Sequence, residues 1–136
     1  MKKSNVVFSA VMVFLIVVCI AAAAFSLSPK FRVSLFVMFN GERLERAIES
    51  DGGIPIIGGV DAMNFWGDDM AEFVLFKIRD TCYGCYYSRS GEAFAFQGMD
   101  SKLSQTAENC WKWQADGYSG ETSRILGNWY YFKAIY

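Results

Sequence analysis

The run from Val6 to Leu27, VVFSAVMVFLIVVCIAAAAFSL, holds neither a charge nor a proline. Its length is about 22 residues, or about 33 Å of helix, enough to cross a hydrocarbon core of about 30 Å. No other stretch of the chain constrains it as strongly, because only a bilayer or a large core can take such a helix. The remainder of the chain, roughly 109 residues, suits one small domain. The whole chain carries 13 basic and 14 acidic residues and no histidine. That balance offers no phosphate-tracking surface, so nucleic acid is not an expected partner.

Lys2 and Lys3 give the basic start that a signal peptide and a signal-anchor share. Small residues such as Ala22 and Ala24 stand at cleavage-like spacing. The apolar run nevertheless exceeds the length usual for a signal peptide, which favours an uncleaved anchor. A lipoprotein reading fails at Cys19, which follows Val18 rather than a small residue and has further apolar residues behind it. Lys30 and Arg32 after the span nearly balance Lys2 and Lys3 before it. The short basic tail favours the N-terminus inside and the domain outside the cytoplasm.

Beyond the span, Ser28 and Pro29 read as the cap and first position of a second helix. Phe36, Val37, Leu44, Ala47 and Ile48 recur near helical spacing, and Glu42 and Arg46 form an i,i+4 pair. Phe31 to Phe39 is apolar on too many sides for an exposed helix, so it lies against the bilayer, extends the anchor or is buried under the sheet, the last being the favoured reading. The glycines of SDGG end the helix, and GGIPIIGG reads as a linker. Strand patterns then appear in VDAMNFW, EFVLFKIR, CYGCYYS, EAFAFQ and CWKWQA, and in the hairpin TSRIL-GN-WYYFKAIY, with DGYSGE as a turn. EFVLFKIR, apolar on both faces, suits a central strand. The expected fold is α+β: an N-terminal transmembrane helix, then one helix packed on an antiparallel sheet of about five to six strands. The expected boundaries are 1–28 for the anchor, 29–52 for the juxtamembrane helix and 53–136 for the sheet, the last two packing as one unit.

The helix, GGIP, YGCYYS, AFQG, WKWQADGYSGETSRILGNWYYFKAIY and the N-terminal anchor together resemble a group of small single-span membrane proteins from gut-type Gram-positive bacteria. The resemblance covers nearly the whole chain and is strongest in its last half. It implies a bacterial membrane-anchored domain and brings no activity, ligand or catalytic residue with it.

The absence of histidine removes histidine-based triads, His-rich zinc sites and the commonest general base at neutral pH. No GxSxG and no phosphate-cradling glycine loop occurs. Asp68, Asp69 and Glu72 in WGDDMAE are too few for a calcium loop and read as a solvated turn. The remaining chemical motif is CYGCYY, residues 82–87. A redox CxxC starts a helix, whose end lowers the thiol pKa, and no helix comes after this one. In an extended strand Cys82 and Cys85 point to opposite faces, with Cα atoms about 10 Å apart, beyond the roughly 7 Å limit of a disulfide. A turn at Tyr83-Gly84 would bring them together. Cys82, Cys85 and Cys110 are one thiolate short of a four-cysteine metal site. Plain strand cysteines are the favoured reading; a disulfide involving Cys110 comes next, then a redox pair, then metal.

Tyr86, Tyr87, Trp111, Trp113, Trp129 and Tyr131 are the other signal. Cross-strand packing explains most of them. A sheet with one helix leaves a face uncovered, however, and an aromatic open face suits a protein partner or a sugar. The chain is thus expected to be a membrane-anchored, extracytoplasmic, non-catalytic binding module. It meets lipid through its anchor and a protein partner at the cell surface, and it needs no cofactor and no metal. A thiol–disulfide exchanger using Cys82 and Cys85, and an accessory subunit of a membrane complex, are the alternatives. Carbonate-washed membranes are expected to retain the full-length chain, and protease added to intact protoplasts to digest the domain. A mature N-terminus near Phe25 in the medium would contradict the anchor.

Overall fold

The structure, a computed structural model, describes residues 2–50 and 57–136, with side chains described at 6–23, 28–50 and 57–136. Its elements are α1 (Lys2–Leu27), α2 (Pro29–Glu49), β1 (Ala62–Trp66), β2 (Met70–Ile78), β3 (Thr81–Ser88), β4 (Ser104–Ala107), β5 (Cys110–Ala115), β6 (Tyr118–Leu126) and β7 (Trp129–Ile135). The chain divides into two compact units, Met1–Arg32 and Val33–Tyr136, so the first turn of α2 groups with α1. The expected glycine stop of α2 and the start of GGIPIIGG lie outside the described residues.

In the first unit, α1 exposes its apolar side chains from Val6 to Ala23 and is long and apolar enough to cross a membrane. Ser28 Oγ accepts the Phe31 N–H at 3.3 Å, the capping bond its position calls for.

In the second unit the fold is the expected α+β arrangement, with a sheet of seven strands in the order β1-β2-β3-β7-β6-β5-β4, every pair antiparallel. Val33, Val37 and Leu44 of α2 pack on Ala71 and Phe73 of β2, Cys85 of β3, and Trp129 and Tyr131 of β7. The Trp129 ring lies beside Gly41 of the helix, and its indole N–H donates to Glu45 Oε1 at 2.9 Å. The expected Glu42–Arg46 pair forms at 3.9 Å on the solvent side.

The opposite face is where sequence reasoning and structure part. EAFAFQ is not a strand. Residues 89–103 form a strap across the face, with a 3-10 turn at Phe96–Gly98. Phe94 and Phe96 do alternate toward one side, but they are knobs of a covering segment that pack on Tyr86 and Phe132. The strap buries Met70, Val74, Cys82, Tyr86, Tyr130 and Phe132 beneath it. With both faces covered, β2 carries apolar residues on both faces, Glu72 and Lys77 apart, although it lies next to the edge strand; β7 holds the centre. SQTA forms the edge strand β4, too short and polar to signal a strand. DGYSGE turns only at Asp116-Gly117, and β6 is already running at Tyr118.

Gly84 sits mid-strand, where β2 bulges between Val74 and Phe76. It makes no turn between the cysteines. A Cβ there would strike the Phe73 carbonyl oxygen and lie 2.7 Å from Phe132 Cζ. Gly84→Ala is therefore expected to cost about 3 kcal/mol or more and to lower Tm by roughly 10 °C or more. Gly58→Ala, with nothing within 4 Å, should be near neutral in the same thermal melts.

Candidate functional site

The cysteines are the leading chemical motif of the sequence. Cys82 lies under the strap and Cys85 under α2, on opposite faces as period-two geometry requires. Burial pushes both thiols up from their ordinary value. Cys110 shares a cross-strand row with Ser123, Tyr131 and Cys85, on the α2 side of the sheet. Three strand spacings separate Cys110 from Cys85, about 14 Å, twice the reach of a disulfide. All four cysteines are free thiols. The disulfide reading through Cys110 is thereby corrected, and neither strand thiol has the low pKa or exposure that exchange chemistry needs. No cluster that could hold a metal occurs among the described residues.

The aromatic surface is also corrected. Tyr86, Trp113, Trp129 and Tyr131 are buried, and Tyr87 and Trp111 are half-buried. They are core because both faces of the sheet are covered where they stand. Tyr86 stacks on Tyr130 with ring centroids 5.0 Å apart. Its hydroxyl accepts the Phe94 N–H at 2.9 Å and meets Thr122 Oγ1 at 2.8 Å. Thr122 spends its own proton on the Tyr131 carbonyl, so Tyr86 is the donor between them. Tyr130 and Arg124 both donate to the Gly91 carbonyl. These hydroxyls fasten the strap.

Glu72 belongs to the same system and was missed as a core residue. WGDDMAE reads as one acidic turn, yet only Asp68 and Asp69 lie in it. Glu72 falls between Met70 and Val74 on β2, and period two sends all three under the strap. It is 0% exposed. Oε2 accepts the Gln97 N–H at 2.9 Å, which holds Gln97 at φ 57°. Oε1 and the Trp66 indole N–H are buried without a hydrogen bond of good geometry. That arrangement fixes a loop; it presents no acid to solvent.

The open chemistry lies elsewhere, on the half of the α2 side that α2 does not cover. Ser104, Lys112, Glu121 and Lys133 form one cross-strand row over β4, β5, β6 and β7. Lys133 alternates with Trp129 and Tyr131 along β7, so the row faces the α2 side. With Lys102 these residues line a groove of about 420 Å³, to which Gln114 and Ser119 add polar side chains. Gly120 is fixed in the floor: a Cβ there would meet the Lys133 carbonyl and the Trp113 ring. Among the described residues, none of the three lysines closes an ion pair, although Glu121 stands between two of them. From Val33 onward the chain holds nine basic against 14 acidic residues, so three lysines at one groove run against the domain's charge. The only sequence signal for it was Lys112, alternating with Trp111 and Trp113; pairing with Lys133 needed the strand order.

Comparison with protein families, with curated proteins and with solved structures finds no match to this chain. The site therefore stands on its own geometry.

Burial holds the Glu72 carboxyl above its ordinary value near 4.5, against the opposing effect of the Gln97 N–H, Trp66 and Asn64. A carboxyl raised in the folded state favours folding most while protonated, and stability falls as pH rises through its folded pKa. Glu72→Gln is expected to remove that decline, so the variant gains on the wild type as pH rises from about 4 to about 8. Thermal melts across that range check it; parallel curves would contradict it.

Proposed function

We propose that this protein is a membrane-anchored, non-catalytic binding module whose domain lies outside the cytoplasm and takes an anionic group in the groove of Lys102, Lys112 and Lys133. The observation that carries the reading is the set of three lysines, unpaired among the described residues, around one open groove in an otherwise acidic domain. Lysine presents a compact point charge with three donors, suited to a phosphate or carboxylate approached from solvent. Ser104, Gln114 and Ser119 supply neutral polar groups beside the charges. Glu121 keeps the lysines from collecting any small anion indiscriminately, because a weak ligand must overcome its repulsion. The uncharged run of the N-terminal helix, Val6 to Ala23, supports anchoring. Thiol–disulfide exchange gains no support from two buried thiols on opposite faces.

Titration of the detergent-solubilised full chain with inorganic phosphate, monitored by chemical shifts of the groove amides, tests the reading. Reversing Lys112 and Lys133 to glutamate is expected to weaken binding about tenfold per residue, and Glu121→Gln to strengthen it. Binding should weaken as salt is added. Shifts that ignore all three changes would remove the proposal.

A further inference from the structure

The outer side of α2 changes character halfway along. Val33, Val37 and Leu44 point to the sheet. At about 100° per residue, Leu35, Met38 and Phe39 lie on the opposite side, and Glu42, Arg46 and Glu49 continue it. Met38 is 65% exposed and Phe39 81%. Before Asn40 the outer side of the helix thus carries the half-buried Leu35 and the exposed Met38 and Phe39, with Arg32 at their flank, and after it the side is charged. Only Ser28 separates α2 from α1, so a chain anchored through α1 begins α2 at the headgroup layer. The lysine groove opens on the same side of the sheet that carries α2.

We propose that this side of the domain rests on the bilayer: Leu35, Met38 and Phe39 enter the interfacial layer while Lys102, Lys112 and Lys133 take the phosphate of an anionic lipid headgroup. The proposal names the occupant of the groove and rests on the anion-binding reading of it. An anionic membrane surface offers an apolar layer and negative charge side by side, the pair of chemistries this side displays. A second copy of the chain fits less well, because its domain is acidic overall and three apolar side chains fall far short of the roughly 800 Å² per partner of a stable interface. A tethered domain needs little added affinity, because its anchor already supplies a high effective concentration of lipid. The switch to Glu42 and Arg46 marks where the helix leaves the apolar layer.

The test uses the full chain in nanodiscs of zwitterionic lipid, with and without phosphatidylglycerol. A spin label at Met38→Cys, with Cys19 and Cys110 replaced by serine, should collide more with oxygen than with a water-soluble nickel chelate. A label at Arg46→Cys should show the reverse, and Phe39→Glu should bring the Met38 label into water. Acetylation of Lys102, Lys112 and Lys133 should slow about fivefold on the anionic discs relative to the neutral ones. A water-exposed Met38 label in both discs would overturn the proposal, as would cross-linking between copies through position 38. Lysines equally reactive on both discs, yet shielded by inorganic phosphate in detergent, would overturn lipid as the occupant and leave the anion-binding reading standing. Lysines shielded by neither would overturn both.

Discussion

The hydrogen bond from the Trp129 indole to Glu45, 2.9 Å long, fixes where α2 sits, and most of the domain's surface depends on it. Trp129 stands on β7, next to β3, and its ring also meets Phe73 and Tyr87. A polar bond at the edge of an apolar contact sets register as well as energy, because a shifted helix would leave the buried indole N–H of Trp129 unpaired. Held there, α2 covers β2, β3 and β7. The far strands of the same side stay open, and this explains their polar row: Lys112, Glu121 and Lys133 are tolerable only where nothing apolar packs on them.

The other face is closed by different means. A strap without regular structure must find partners for its backbone polar groups, since no ladder supplies them. The sheet supplies them through Tyr86, Tyr130, Arg124 and Glu72, which reach Phe94, Gly91 and Gln97. Asp69 holds the start of the strap, accepting the Ser90 N–H at 2.8 Å. The costs are visible: a glutamine at positive φ and a carboxylate oxygen without a partner. Phe96 offsets them by packing on Phe132 and Tyr136.

What the sequence disclosed, and what it hid, divides along the same line. Local signals were readable: the uncharged span, the Ser28 cap, the Glu42–Arg46 pair, the Gly127-Asn128 hairpin, and the opposed directions of Cys82 and Cys85. Each depends on residues within a few positions of one another. EAFAFQ misled because a covering strap also alternates, one set of side chains gripping the sheet and the other meeting water. Glu72 misled because its neighbours Asp68 and Asp69 are turn residues, although its spacing from Met70 and Val74 already placed it inside. Beside the cross-strand packing that explains most of the aromatics, an open aromatic face stayed possible in the sequence, because nothing local announces that a loop will fold over a sheet. The lysines of the groove come from the strap, β5 and β7, and only the strand order brings them together.

The distribution of chemical groups follows from which parts of the sheet are covered. Cys82, Cys85, Glu72, Tyr86 and Tyr130 are side chains able to act as nucleophile, acid or base, and all five are fully buried. Burial has spent their polar atoms on fastening the strap or surrounded them with apolar contacts, which leaves no site for a substrate atom beside them. At the open groove the fold leaves three lysines and one carboxylate, Glu121. The groove shares one side of the sheet with α2, because α2 covers only β2, β3 and β7 and leaves the far strands of that side open.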